Sequence, residues 1–181
     1  MKVQSFLLNT AVCALAGGSI LAGGIPPSRI GVYDSREVAY AHFLSTSEQA
    51  KLLGMTAATR IAQDQGNRKQ AKALGKALKE RQERIHMQVF STVPADEAMA
   101  ELKARRPALL EELAVSGLVS KWDAKALRAS HQAEKVDVTE CLVKALNPVL
   151  TDKQKQTLAE IQRTSPIAPW RARLMSCFGG M

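Results

Sequence analysis

Apolar positions along this chain recur mainly every three or four residues, and only in short stretches every second one, which predicts helices with a little strand. Ile30 and Val32 alternate within Arg29–Ile30–Gly31–Val32–Tyr33–Asp34, as in a strand, and Asp34 or Ser35 is placed to cap a helix that follows. Ser45–Thr46–Ser47–Glu48 gives a second start signal, polar caps ahead of an acid. From about 47 to 90 no proline interrupts the chain. Leu52, Leu53, Ala57, Ala58 and Ile61 form the apolar face of the first half, and Asp64–Gln65–Gly66–Asn67 kinks or breaks it. Ala71, Leu74, Leu78, Ile85 and Val89 then repeat at coiled-coil spacing.

Ser91–Thr92–Val93–Pro94 reads as the turn of a hairpin, and Asp96 and Glu97 open the returning helix through Met99, Leu102, Leu109, Leu110 and Leu113. Pro107 bends that helix or starts a new one. Leu118 to Asp123 is a second strand. Val136–Asp137–Val138–Thr139 leads into a helix through Leu142 and Leu146 that stops at Asn147–Pro148. Thr151–Asp152 caps a further helix carrying Leu158 and Ile161, and the segment from Ser165 onward reads as irregular. The expected class is mainly α with a small β element: a long helical hairpin, about 47–116, on a small strand-containing body.

Composition sharpens this. Aromatic residues are only 4% of the 181, and much of the 46% hydrophobic content is alanine, which suits thin helix-helix seams better than a sandwich core. The net charge is +8, so acidic partners are favoured: acidic protein, anionic surface polymer or lipid headgroups. The excess is concentrated. Arg68, Lys69, Lys72, Lys76, Lys79, Arg81 and Arg84 stand against Glu80 and Glu83. A run of this kind is ordinarily a solvated helix face, but its single sign keeps a binding role open. Nucleic acid is disfavoured as a partner, because no aromatics interleave with these cations.

Residues 1–24 read as a signal peptide, with Lys2 ahead of an apolar stretch from Phe6 to Ala16 and small residues at Gly23–Gly24. Retention as an anchor is the alternative, which Gly17, Gly18, Gly23 and Gly24 weaken. The chain is therefore expected to be exported, to the periplasm or another extracytoplasmic space. Cys141 and Cys177 remain in the mature part. A bridge between them is open, although Cys141 sits on a stripe with Val138, Leu142 and Ala145 that suggests packing in the core.

The order of short strand, basic helical hairpin, second strand and Asp-Val-Thr helix resembles the OmpH/Skp family of periplasmic chaperones. Arg29 to Asp34 is similar to that family's first strand, and Leu118–Asp123 followed by Val136–Thr139 and Leu142 to its closing strand and terminal helix. The resemblance covers 29 to about 146, giving a domain at 25–147 and an extension at 148–181 with one short helix. It implies a homotrimer whose arms enclose a cavity, and an ATP-independent holdase for unfolded envelope proteins. On this reading Arg68, Lys72, Lys76, Lys79, Arg81 and Arg84 attract clients, while Met87, Val89 and Phe90 near the hairpin tip touch them. The alternative is a non-enzymatic structural or adaptor protein whose basic arm binds an anionic polymer or a partner helix.

No enzyme is expected. His42, His86 and His131 fall in no nucleophile or zinc signature, and no phosphate-binding glycine loop occurs. Asp34, Glu37, Asp137 and Glu140 are the carboxylates that could pair for acid-base work, with Asp34 and Asp137 better read as helix-start residues. Neither a cofactor nor a metal is expected.

Overall fold

A computed structural model describes residues 28–146 and 150–178, with the backbone alone at 175–178. The expected signal peptide, the Asn147–Pro148 stop and the Cys177 side chain lie outside the described residues.

The described chain is mostly helical with one small sheet. Its order is β1 (Arg29–Tyr33), α1 (Ser35–Leu44), α2 (Thr46–Asp64), α3 (Arg68–Phe90), α4 (Asp96–Glu101), α5 (Arg106–Glu112), β2 (Leu118–Ser120), α6 (Ala124–Ala129), β3 (Glu134–Asp137), α7 (Thr139–Leu146), α8 (Asp152–Arg163) and α9 (Pro169–Phe178). The sheet is parallel, in the order β2-β1-β3. Gly31 pairs with Leu118 on one side and Val136 on the other. A Cβ at Gly31 would stand 2.8 Å from Leu118 Cδ2 and 2.9 Å from Val138 Cγ2, so the close strand packing requires glycine there.

Sequence chemistry sets the helix ends. Asp34, Ser45, Asn67, Asp123 and Thr151 each accept a backbone N–H at the start of α1, α2, α3, α6 and α8, and Thr151 completes a capping box with Gln154. Pro107 lies in the first turn of α5, so it starts a helix rather than bending one. α1 runs through the centre of the core. Val38, Ala39 and Ala41 on it pack with Val89 of α3, Ala98 of α4, Leu109 of α5, Leu142 and Val143 of α7, and Leu158 and Ile161 of α8.

Several details differ from the sequence reading. The long helical stretch itself reverses at Gln65–Asn67, ahead of the turn at Ser91–Pro94, where Gln88 donates to Pro94 O and Glu97 as the chain folds back. Gly66 has φ +72°, Asn67 N donates to Ala62 O and Gly66 N to Gln63 O, the paired bonds of a left-handed helix end. Asn67 then caps α3, so of the kink or break expected here the structure has a break, a full turn between two antiparallel helices. Half-buried Leu52, Met55 and Thr59 with buried Ala62 mark the seam of α2, whereas Leu53, Ala57 and Ile61 point outward. The seam of α3 is the foreseen series Ala71, Leu74, Leu78 and Ile85.

β3, α6 and α9 were not foreseen as a strand and two helices. The polar composition of Glu134–Asp137 hid an exposed edge strand, and Pro169 opens α9 in a segment read as irregular. Cys141 is an exposed free thiol on α7, not a core residue. Val138, Leu142 and Leu146 form that helix's buried stripe without it. Among the described residues no helix is long and apolar enough to cross a membrane.

Candidate functional site

Two features stand out: a buried polar cluster where the strands end, and the exposed cationic pair α2–α3. All three strands run the same way, so their carboxyl ends share one edge, where parallel sheets commonly place chemistry. Asp34 follows β1 there and is fully buried. Its Oδ1 accepts from Arg36 N (2.9 Å), Arg36 Nε (3.2 Å) and Trp122 Nε1 (2.9 Å). Its Oδ2 accepts from Arg36 Nη2 (2.9 Å) and Lys121 Nζ (2.7 Å). The Arg36 guanidinium and the Lys121 ammonium lie 4.9 and 5.0 Å from the Trp122 ring centroid.

Burial alone would raise the Asp34 carboxyl, but hydrogen bonds from Arg36, Lys121 and Trp122 outweigh it and hold the group below the ordinary carboxylate value. Both oxygens are saturated with donors. The carboxylate is therefore a tie rather than a proton acceptor for a substrate. It joins the end of β1 to β2 through Lys121 and Trp122. Asp34 N donates to Thr139 Oγ1 (3.0 Å) beyond β3, and Arg36 Nη1 reaches Thr164 O (2.8 Å) at the end of α8.

Glu37, one turn along, behaves in the opposite sense. Burial pushes its carboxyl up, only partly offset by the Gln162 amide that donates to it at 2.8 Å. Asp137 caps the turn into α7 by accepting from Thr139 N, and Glu140 is exposed and pairs with Lys144 at 2.6 Å. The four carboxylates thus hold four separate tasks.

The cations of α3 divide by position. Arg81 forms a two-pronged pair with buried Glu48 at the start of α2, and Arg84 reaches Glu97 at 3.0 Å. The first ties the base of α3 to α2, and the second fastens the pair to α4 in the body. Lys76 and Lys79 are exposed and make long intrahelical pairs with Glu80 (3.6 Å) and Glu83 (3.8 Å), contacts worth little in water. Arg60, Arg68, Lys69 and Lys72, nearest the turn, are exposed and have no ion-pair partner among the described residues. Positive charge is compensated at the base and uncompensated at the far end.

Met87, Val89 and Phe90 lie in the last turn of α3 beside the body, not at a tip. Val89 is in the core, Met87 is half-buried, and Phe90 is 46% exposed. His86 stacks at a tilt on Phe90, with ring centroids 4.7 Å apart, and shares that basal position. Away from the body, the large exposed apolar side chains of the pair among the described residues are Leu53 (70%) and Ile61 (55%) on α2. Sequence reasoning missed Arg36, Lys121 and Trp122 as one cluster. The available signal was an Asp directly after one strand and a Lys-Trp directly after the next.

No family model matches this chain, and neither a curated protein nor a solved structure does.

Proposed function

We propose that this chain is an exported, ATP-independent chaperone of the OmpH/Skp type that holds unfolded envelope proteins and has no enzymatic activity. The α2–α3 pair carries the reading. It is a thin seam of small and aliphatic residues, exposed along most of its length, with free cations at its far end and exposed Leu53 and Ile61 among polar neighbours. Such a surface offers long-range attraction to acidic chains and weak, unspecific apolar contact, which is what holding many different clients needs. A small parallel sheet whose outer strands β2 and β3 each leave one edge open supports assembly of several bodies, here a trimer with its pairs acting as arms. The client-facing part of the arm is then Arg68, Lys72, Lys76 and Lys79, with Arg81 and Arg84 anchoring it.

The test is light scattering on residues 25–181 at low and high salt, combined with aggregation suppression of an unfolded outer-membrane protein without nucleotide. A trimer at both salts that keeps the client soluble is the expected result. A monomer at both salts that protects nothing would sink the reading. The adaptor alternative is favoured by one observation, the uncompensated cations Arg60, Arg68, Lys69 and Lys72 beside the turn. It requires steeply salt-dependent binding of a polyanion such as heparin, with no protection of clients.

A further inference from the structure

The last turn of α3 and the C-terminal helices enclose a groove of about 380 Å³. Val89, Phe90, Ile161, Ile167 and Ala172 line it, with the Arg36 guanidinium at one side. Its walls come from three elements held in register: Ile167 N donates to Phe90 O at 2.9 Å, Ser91 and Ile167 form a parallel bridge, and Arg36 Nη1 binds Thr164 O. The groove is therefore built by backbone hydrogen bonds and not by chance contact of mobile side chains. Phe90, the most open of its apolar walls, stays 46% exposed.

Arginines adjoin the lining residues of the C-terminal walls, Arg163 next to Thr164 and Arg171 and Arg173 on either side of Ala172. From Ile161 to the end the sequence contains Arg163, Arg171 and Arg173 and no acidic residue. None of the lining side chains is acidic, and His86 borders the same wall. A second copy would bring like charges together, so self-docking is disfavoured. The volume suits one or two large apolar side chains and is small for the paired acyl chains of a lipid.

We propose that this groove seats an apolar side chain of an extended, acidic polypeptide segment, with flanking carboxylates facing the cationic end of the chain. This rests on the chaperone reading in that an unfolded client supplies the segment. Arg36, tied to Asp34, serves as a fixed wall, and Phe90 as the aromatic surface that closes over the guest.

The experiment is fluorescence polarisation with the full chain and a labelled dodecapeptide of aspartates and serines around one phenylalanine. Two control peptides replace the phenylalanine by serine, or the aspartates by lysines. The first peptide should bind at least about tenfold tighter than either control, and Phe90→Ser should abolish that advantage. Ile167→Ala provides a second, milder lesion in the wall, with circular dichroism checking that both variants fold. Equal binding of all three peptides, or unchanged binding by both folded variants, overturns the proposal. So does displacement by phosphatidylglycerol vesicles when the phenylalanine peptide binds no tighter than its serine control, because the occupant is then lipid. Client protection is measured in parallel. A wild-type chain that binds the peptide yet protects no client sinks the chaperone reading and leaves the groove standing. One that protects clients while both folded variants bind the peptide normally sinks the groove alone.

Discussion

At Asp34 a single carboxylate receives five donors in the interior, and its removal leaves Arg36 and Lys121 facing each other without compensation. Asp34→Asn should cost about 3–5 kcal/mol, read as a lower urea midpoint at pH 7. The folded-state pKa is lowered, so this stability is present above the unfolded value of about 3.9 and is lost as pH falls through the lower folded one. The wild type should therefore lose more stability than Asp34→Asn on acidification below about pH 4. Glu37 has the reverse sign. Its folded pKa is raised, so its ionisation opposes folding, and its contribution is lost as pH rises through the folded value. Glu37→Gln keeps an acceptor for Gln162 and removes the charge. It should be more stable than wild type at pH 7, with the difference vanishing below about pH 4 in the same urea titrations.

Among the elements, the tightest joints are those where a small residue cannot be replaced. Gly66 sits at positive φ in the turn between α2 and α3, and Gly66→Ala should cost about 1 kcal/mol, seen as a lower thermal midpoint. Gly31→Ala should cost about 1–3 kcal/mol by pushing Leu118 and Val138 apart. Deleting residues 165–181 removes the donor to Phe90 O and the Ala172 contact. Amides of Gln88–Ser91 should then exchange faster with solvent, while those beside Gly66 stay unchanged. Helix starts were legible in the sequence because capping is local: Asp34, Ser45 and Thr151 announce themselves within four residues. The interruption at Gly66 was legible, but its degree was not, because glycine and asparagine serve a kink, a break and a full reversal alike. The outward positions of Leu53 and Ile61 were misjudged for a related reason. Periodicity identifies apolar stripes but not which of two adjacent stripes meets a partner.

For the whole molecule, the mainly helical class and the first two strands followed from pattern. What pattern could not supply was the junction of Asp34, Lys121, Trp122 and Thr139, which exists only once three distant segments lie side by side. The residues proposed for client contact were only partly separable for the same reason: α3 carries lysines and arginines throughout, and it is the positions of Glu48 and Glu97 that turn Arg81 and Arg84 into fasteners. Reversing Lys69 and Lys72 to glutamate should leave the unfolding free energy within about 0.5 kcal/mol of wild type and weaken the proposed capture of acidic clients, whereas Arg81→Glu should unfold the base of the pair. The central place of β1 in the sheet also sets an order of events. It is the first described element of the chain, yet both of its partners, β2 and β3, lie far downstream, beyond the whole α2–α3 pair. A chain emerging from its amino end can wind α2 against α3 through a three-residue turn at once, while the body stays open until residue 137 has appeared. Slow, late closure of this kind leaves the body unformed for most of the time the chain is being synthesised.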